Sequence, residues 1–513
     1  MREVAPLASD SPWPFLRAVH YFADAQPINF WENADLSRLT THFRQIRADG
    51  FNAVILVVPW RGFQPALSGG TDCLDQWRLD RLTRVLDAAR DQGLYCILRV
   101  GFPWSGCPIS EGTYEERILG LFGSRTIRSA WFAYLEALAA ATEGAEHLLF
   151  AFFSWEDLPS LRHRMIYADA ERRAELAAYL GYDRYLAARG HRPAGPLRIP
   201  LPSDEDYPHF NAFVNQLQNT LLDDSRRRWP KLSMQLRPDF EQVTFGGKPA
   251  YIENDLRLSD PLLRVGYFFH YMNARNEGET LTAGAALANL GIVLDRVTDD
   301  GRANNHFLDQ FVFLDESPQF PHWPRIEAAE LGHFLLQAAA VLEQRSRGYG
   351  LWAYFDYVDN HLYNARFLRR FEGWQTRGEI ALEPTGTDGF AAVLAPGARL
   401  AQCMVPELAG NASYLYENVT FSAHCGQACE VAFAVNGVEE ARGAGPAGTL
   451  TVALDPARHR GGEEIEFSLQ NVGSHPVALT DLRLWGFEMR LHLRDECGRP
   501  GRLHREITAM NRR

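Results

Sequence analysis

Apolar runs of strand length alternate with runs of helical spacing over most of the N-terminal part of this chain. In the run 35–48, for example, Leu36, Leu39, Phe43 and Ile46 recur on one helical face. The candidate strands are residues 15–21, 51–58, 94–100, 148–155, 232–236, 263–269, 311–314 and 350–355. Repeated βα units form a parallel sheet, and eight of them close into a barrel. The sequence therefore predicts an α/β fold in which residues 1–380 form a (β/α)8 TIM barrel.

One segment of the predicted barrel is longer than an ordinary connection. Residues 157–208 follow the fourth candidate strand and contain a run of helical spacing at 168–188. We interpret this segment as an insertion at the carboxyl end of the fourth strand.

The pattern changes from about Glu383 onward. Helical periodicity disappears there, and Gly, Pro and Asn separate short alternating runs, as is typical of an all-β sandwich. We predict a C-terminal β-sandwich accessory module at 381–492 and a loosely held polar tail at 493–513. The sandwich could bind carbohydrate through Tyr414, Tyr416 or Trp485, or it could be a structural module, which analogy with other barrel proteins favours.

Composition limits the classes of partner. The formal net charge of −12 argues against a nucleic-acid surface, which needs a basic stripe. The chain shows no apolar run of bilayer length and no apolar signal-peptide core, so we expect neither a membrane nor a secretory route. The seven cysteines are scattered and odd in number, which favours reduced thiols in the cytoplasm. The sequence does not decide whether the protein is a monomer or a homo-oligomer.

Cys425 and Cys429 are the cysteines closest together in the sequence. No second pair of Cys or His residues accompanies them, so we interpret them as structural thiols rather than metal ligands. The histidines also show no metal spacing, and we predict neither a metal nor a cofactor.

Two of the apolar runs end abruptly in acidic residues. Glu156 and Asp157 follow the fourth candidate strand, and Asp315 and Glu316 follow the seventh. In a barrel, catalytic groups lie at the carboxyl ends of the strands, and a pair of carboxyl groups there is what glycoside hydrolysis requires. A single acid at a strand end could equally cap a helix or pair with an Arg. Both together favour a catalytic pair.

Four segments resemble a known group of enzymes. Residues 50–60 (GFNAVILVVPW) and 93–103 (GLYCILRVGFP) are similar to the second and third strands of the clan A glycoside hydrolases, the β-galactosidase families above all. His270-Tyr271 and the run 352–355 (WAYF) also resemble members of the clan.

The resemblance implies roles for individual residues. Glu156 would be the general acid/base and Glu316 the nucleophile of a retaining, exo-acting hydrolase whose carbohydrate substrate is β-linked. Tyr271 would steady the nucleophile, and Arg99 would orient carboxylates in the cleft.

The chain departs from the clan at one position. Most members have Asn directly before the acid/base, where it binds the sugar 2-hydroxyl, whereas this chain has Trp155. Indole donates one hydrogen bond and accepts none. Either the 2-position of the sugar is unusual, or another residue recognises it, or the barrel is inactive and binds a glycan or scaffolds a polysaccharide-assembly complex. An endo-acting polysaccharide hydrolase is a further alternative.

Several aromatic residues complete the predicted substrate site. Trp60, Trp104 and Trp352 lie at strand ends, where each could stack on a sugar or belong to the core. Trp155 and His270 could donate hydrogen bonds to substrate, and His270 could equally be a satisfied core residue.

Overall fold

The computed structural model describes residues 13–23, 27, 29–67, 74–101, 107–153, 165–166, 168–193, 195–235, 244–245, 248–249, 263–269, 278–297, 305–314, 316, 323–386, 388–404, 419–454, 465–486 and 488–513.

Eight parallel strands close into a barrel, as the sequence predicts. They are β1 (Leu16–His20), β2 (Ala53–Val58), β3 (Tyr95–Val100), β4 (Leu148–Phe153), β5 (Leu232–Gln235), β6 (Arg264–Phe269), β7 (His306–Val312) and β8 (Gly348–Leu351). Each strand pairs with its neighbour in the chain, and β1 closes the ring against β8. Their carboxyl ends therefore meet at one rim, which is where catalytic groups lie in this fold.

The interior of the barrel near the amino ends of the strands is apolar. Side chains alternate across each strand, so every second residue points inward. The inward cluster contains Ile55, Ile97, Phe150 and Phe307, and Trp13 stacks on Phe150 with ring centroids 5.6 Å apart. This packed layer fills the interior of the barrel at that end.

Helices surround the barrel. They are α1 (Phe30–Asn33), α2 (Leu39–Ala48), α3 (Trp60–Phe63), α4 (Gln76–Asp91), α5 (Tyr114–Gly123), α6 (Arg125–Ala141), α7 (Ala170–Leu180), α8 (Tyr182–Ala188), α9 (Tyr207–Arg228), α10 (Ala283–Val297), α11 (Leu331–Arg345) and α12 (His504–Asn511). α7 and α8 occupy the predicted insertion after β4. Among the described residues, no helix is both long and apolar enough to cross a membrane.

The C-terminal sandwich has two antiparallel sheets of five strands each. In order across the first sheet, the strands are Gln375–Arg377, Arg399–Met404, Ile465–Asn471, Cys429–Val435 and Val438–Gly445. Across the second sheet they are Ile380–Pro384, Phe390–Leu394, Val477–Trp485, Val419–Cys425 and Gly448–Leu454. Phe421 of the second sheet packs on Phe433 and Phe467 of the first, at centroid distances of 4.7 and 5.4 Å. This confirms the predicted sandwich.

The C-terminal segment differs from the loosely held tail that its polarity predicts. The short helix α12 packs between α11 and the end of α2, which is the place of the eighth barrel helix. The Asn511 amide donates to the Asp49 carbonyl at 3.0 Å, and Arg513 donates to the Leu336 carbonyl at 2.6 Å. Ile507 and Met510 are fully buried in the main hydrophobic cluster. The chain thus leaves the barrel after β8, forms the sandwich and returns to complete the barrel.

Candidate active site

The interior of the barrel toward the carboxyl ends of the strands is polar. His20 ends β1, Arg99 lies near the end of β3, Gln235 ends β5 and Asp309 lies within β7; all four are 0% exposed. We call these four residues the polar floor. Buried ionised groups are tolerated only where they are paired and hydrogen-bonded, so a floor of this kind needs its partners in fixed positions.

Asp309 links Arg99 and Gln235 across the barrel. The Asp309 carboxylate lies 3.8 Å from the Arg99 guanidinium and accepts the Gln235 side-chain amide at 2.9 Å on each oxygen. The register of β7 against β6 shifts between Leu308 and Gln310, which makes Asp309 the extra residue of a β-bulge. Bulges re-aim a side chain, and this one brings a carboxylate into the interior.

A glycine on β8 accommodates the bulge. A Cβ atom at Gly350 would lie 2.6 Å from the Asp309 carbonyl oxygen and 2.5 Å from Ile55 Cδ1. Any side chain there would displace β7, so the backbone approach that supports the polar floor depends on glycine.

His20 is held neutral on the floor. Its Nδ1 lies 3.2 Å from the Leu351 carbonyl oxygen, which can only accept, so Nδ1 carries the proton. Burial, and then the nearby Arg99 charge, hold the pKa of His20 well below its usual value. Its Nε2 has no hydrogen-bond partner within the described residues. The floor thus presents an acceptor nitrogen beside a fixed cation.

Trp352 lies directly after β8 and covers the floor. Its ring lies 4.4 Å from the His20 ring and 5.6 Å from the Arg99 guanidinium carbon. The indole N–H donates to the Tyr357 hydroxyl at 2.8 Å, and the residue is 6% exposed. The peptide bond to Ala353 is cis.

Glu316 lies four residues beyond the end of β7, and two side chains of the C-terminal segment bind its carboxylate. His492 Nε2 donates to one carboxylate oxygen at 2.7 Å, and Arg502 donates to the other. Partial burial by itself would raise the pKa of Glu316, but these two hydrogen bonds and charges outweigh it, and the pKa lies below its usual value. The carboxylate is therefore ionised at neutral pH.

His492 also approaches a second carboxylate. Its Nδ1 lies 3.9 Å from Asp356 Oδ2, and its backbone N–H donates to Asp356 Oδ1 at 2.8 Å. Burial raises the pKa of Asp356, and the backbone N–H and charge of His492 offset part of that rise. Within the described residues, Glu316 shares no hydrogen bond or ion pair with the polar floor, so the rim contains two separate polar clusters.

The predicted site residues fall into three groups. Arg99 and Trp352 lie together at the mouth of the barrel, and Glu316 lies at the rim. Trp60 does not fit a substrate platform, because it is 1% exposed, donates to Gln64 at 2.7 Å and packs on Trp131 of α6. It belongs to the layer between barrel and helices. The others lie outside the described residues: Trp104, Trp155, Glu156, His270 and Tyr271.

Sequence reasoning missed several residues that the structure brings to the site. Asp309 interrupts the apolar run of β7, and a charged residue within a predicted buried strand is a readable signal. His20 ends β1 and gives a similar signal. His492 and Arg502 give none, because they lie 176 and 186 residues from Glu316.

In the parts of the chain that the structure describes, no group of three or more His, Cys, Asp or Glu side chains is placed to hold a metal ion. The polar floor contains hydrogen-bond donors and one acceptor nitrogen, but all four of its residues are 0% exposed and Trp352 covers them. It is therefore a buried support beneath the rim.

Comparison with known proteins gives distant likenesses only. No family model matches the sequence, and no curated protein matches it. Among solved structures, the exo-beta-1,4-mannosidase Op5Man5 from Opitutaceae bacterium strain TAV5 is 15% identical over 67% of this chain and 53% of its own, with a TM-score of 0.42. GH5_18 from Streptomyces cattleya in complex with GlcNAc is 14% identical over 67% of this chain and 72% of its own (TM-score 0.43). The beta-glucosidase 1317 is 13% identical over 67% and 89% (TM-score 0.39).

The chain spans about half of the mannosidase's length, since the match covers 53% of the mannosidase. At these identities and scores, the likenesses assign no activity to the chain. The barrel is established by its own strand order.

Proposed function

We propose that the protein is a retaining β-glycoside hydrolase in which Glu316 is the nucleophile and Glu156 the general acid/base. The observation that carries the proposal is the position of the Glu316 carboxylate, which lies beyond the carboxyl end of the seventh strand on the rim and is hydrogen-bonded by His492 and Arg502. A nucleophile in a double displacement must be ionised before it attacks the anomeric carbon, and His492 and Arg502 keep Glu316 in that state.

The polar floor supports this site from below. Arg99 and His20 are 0% exposed beneath Trp352, so in this proposal they hold the Trp352 ring in place and do not themselves contact the sugar. The finer part of the proposal is exo action on a β-galactoside-like substrate in the cytoplasm, which rests on the sequence resemblance and on the cysteine pattern.

The test compares wild-type protein with Glu316→Gln and Glu156→Gln on a panel of aryl β-glycosides: galactosides, glucosides, mannosides and a polymeric substrate. Both variants should lose at least a hundredfold in kcat/KM on the preferred substrate. Glu136→Gln, which changes an exposed helix glutamate, is the matched control and should retain activity. Preference for the polymer would favour endo action, and equal activity of wild type and Glu316→Gln would contradict the proposal.

One observation favours a second candidate function. Both oxygens of Glu316 are engaged by the C-terminal segment, as they would be in a structural ion pair of an inactive glycan-binding barrel. That function predicts that wild type and Glu316→Gln are equally inert on the whole panel while a glycan still binds, as measured by calorimetry.

A further inference from the structure

Two thiols in the sandwich lie unusually close together. Cys425 ends a strand of the second sheet, Cys429 begins a strand of the first, and the exposed turn 426–428 joins them. Both are free thiols, and their Sγ atoms are 2.9 Å apart. This separation is shorter than ordinary van der Waals contact between two sulfur atoms.

Packing and metal binding do not account for the pair. Cys425 is 0% exposed and Cys429 is 7% exposed, so both sulfurs lie in the sandwich core, where an apolar pair would pack without close S–S contact. No third ligand from the described residues completes a metal site. What remains is chemistry that joins the two sulfurs, and a disulfide would require them to approach to about 2.05 Å.

We propose that Cys425 and Cys429 form a reversible disulfide that ties the two sheets of the sandwich together. The oxidant is a small disulfide such as oxidised glutathione. The Cys429 thiolate attacks one sulfur of that disulfide, forms a mixed disulfide and releases one glutathione thiolate. The Cys425 thiolate then attacks Cys429 Sγ and releases the second. The protein loses two protons and two electrons, and one glutathione disulfide becomes two thiols.

The order of these steps follows from the surroundings of each sulfur. Cys429 is the more exposed and adjoins the turn, so a small disulfide reaches it first. Burial, and then the hydrogen bond with Cys429, raise the pKa of Cys425 to about 12. Cys425 is therefore a poor nucleophile toward solvent and acts second, on a sulfur already beside it. Closure should be slow at neutral pH and faster in mildly alkaline buffer.

The bridge has a defined structural consequence. It would connect the two sheets at their facing strand ends, where Cys425 pairs with Gly448 and Cys429 with Gly445. Because the closed loop is short, the gain in stability should be at the low end of what disulfides provide. We expect the melting temperature of the oxidised protein to rise by a few degrees.

The experiment uses the full-length protein after incubation with oxidised glutathione or with dithiothreitol, followed by alkylation and peptide mass mapping. After oxidation, the peptide that contains both cysteines should resist alkylation and be lighter by about 2 Da, the two hydrogens lost. Cys497 is exposed and should carry glutathione, which shows that the oxidant acted. Cys96 and Cys107 are buried and should remain thiols.

Two variants make the result decisive. Cys425→Ser should leave Cys429 as a glutathione mixed disulfide, and Cys429→Ser should leave Cys425 as a thiol; neither should show the rise in melting temperature. The proposal is overturned if Cys425 and Cys429 stay fully alkylatable while Cys497 carries glutathione, or if oxidation raises the melting temperature of both variants as much as that of wild type. This inference does not depend on the proposed glycosidase activity.

Discussion

The charge of Glu316 depends on two residues that return to the rim from the far end of the chain. His492 and Arg502 each hydrogen-bond one of its oxygens, and no residue of the polar floor does so within the described parts of the chain. His492 and Arg502 are therefore positioning residues in the proposed reaction. They act by holding the nucleophile ionised and in place.

Replacing His492 with Gln should raise the pKa of Glu316, because one of the interactions that lower it disappears. The acidic limb of the kcat/KM profile should then move to higher pH. Since Glu316 is partly exposed, solvent screening keeps the loss in unfolding free energy within about 1 kcal/mol. That stability is present above the pKa of an unfolded Glu and lost as pH falls through the lower folded pKa.

Arg499→Met is the matched control for this prediction. It removes an exposed cation of the same segment that pairs with Asp495 and does not touch Glu316. A pH profile that moves equally in both variants, or in neither, would contradict the positioning role of His492.

The ion pair of the polar floor gives a second prediction at the scale of single residues. Asp309→Asn leaves the Arg99 charge buried without its carboxylate, and it should lower the free energy of unfolding by about 3–5 kcal/mol. The double variant Arg99→Met with Asp309→Leu should recover much of that loss, because it removes both charges. Urea denaturation of the wild type, of Asp309→Asn and of the double variant gives the three free energies of unfolding. A loss below about 1 kcal/mol for Asp309→Asn would show that the carboxylate is not needed as a counter-ion.

At the scale of elements, the barrel obtains its eighth helix from the C-terminus. α12 is only eight residues long, but both of its ends contact Asp49: His504 Nε2 lies 3.0 Å from Asp49 Oδ1, and the Asn511 amide donates to the Asp49 carbonyl at 3.0 Å. Arg494, ten residues upstream of the helix, forms a bidentate pair with the same Asp49 at 2.7 and 2.9 Å. The helix is therefore a part of the barrel that the sandwich separates in sequence.

Ile507→Ala should destabilise the protein by about 2–5 kcal/mol, because Ile507 is fully buried against the barrel. Arg505→Ala changes an exposed residue of the same helix and should cost no more than about 0.5 kcal/mol. Thermal and urea unfolding compare the two. Equal, small effects would mean that the segment is the loosely held tail that its polarity predicts.

These elements also show how far sequence reasoning extends. The runs of β2, β3 and β6 predict strands that end at the observed residue and begin one or two residues early, because β-branched, aliphatic and aromatic residues dominate them. The predicted seventh strand, 311–314, begins too late, since Asp309 and Gln310 break the apolar run of His306–Val312. A bulge cannot be read from one strand alone, because it is a property of the pairing. For α12 a signal was present: Leu503, Ile507 and Met510 recur at helical spacing in a segment that composition alone makes polar.

At the scale of the whole molecule, a buried ionic network joins the barrel to the linker, residues 352–374, which leads from β8 to the sandwich. Arg78 of α4 binds Glu32 and Asp75 and donates to the Tyr363 hydroxyl at 2.9 Å. Arg369 of the linker pairs with the same Asp75 at 2.7 Å. Because these charges are shared between the barrel and the linker, separating the two would leave buried charges without partners.

Several buried histidines make the stability of the molecule depend on pH. Burial, followed by repulsion from Arg345 and Arg264, lowers the pKa of His306 to about 3, and burial lowers that of His361 to about 3. The pKa of His42 is lowered to about 4, mainly by burial. Below the unfolded pKa of about 6.5, the unfolded chain binds protons that the native protein does not, so stability falls as pH falls.

His306→Phe tests this dependence, since neither ring nitrogen of His306 has a hydrogen-bond partner within the described residues. Below pH 6 the free energy of unfolding should fall less steeply with falling pH in the variant than in wild type. The two slopes should differ by about 1.4 kcal/mol per pH unit, because the variant has one histidine fewer to protonate on unfolding. His475→Gln replaces an exposed histidine and should leave the slope unchanged. Melting temperatures from pH 7.5 to 4.5 give the comparison. If His306→Phe has the wild-type slope, His306 is not among the groups that cause acid destabilisation.

The most direct test of the account as a whole is covalent trapping of the nucleophile. The protein would be incubated with a 2-deoxy-2-fluoro β-glycoside of the sugar preferred in the aryl panel and then digested for peptide mass spectrometry. A retaining hydrolase accumulates the glycosyl-enzyme intermediate on its nucleophile. We expect one sugar per chain, attached to Glu316, and no label on Glu316→Gln. Attachment to another carboxylate, such as Asp315 or Asp309, or no label on a protein that cleaves the parent glycoside, would contradict it.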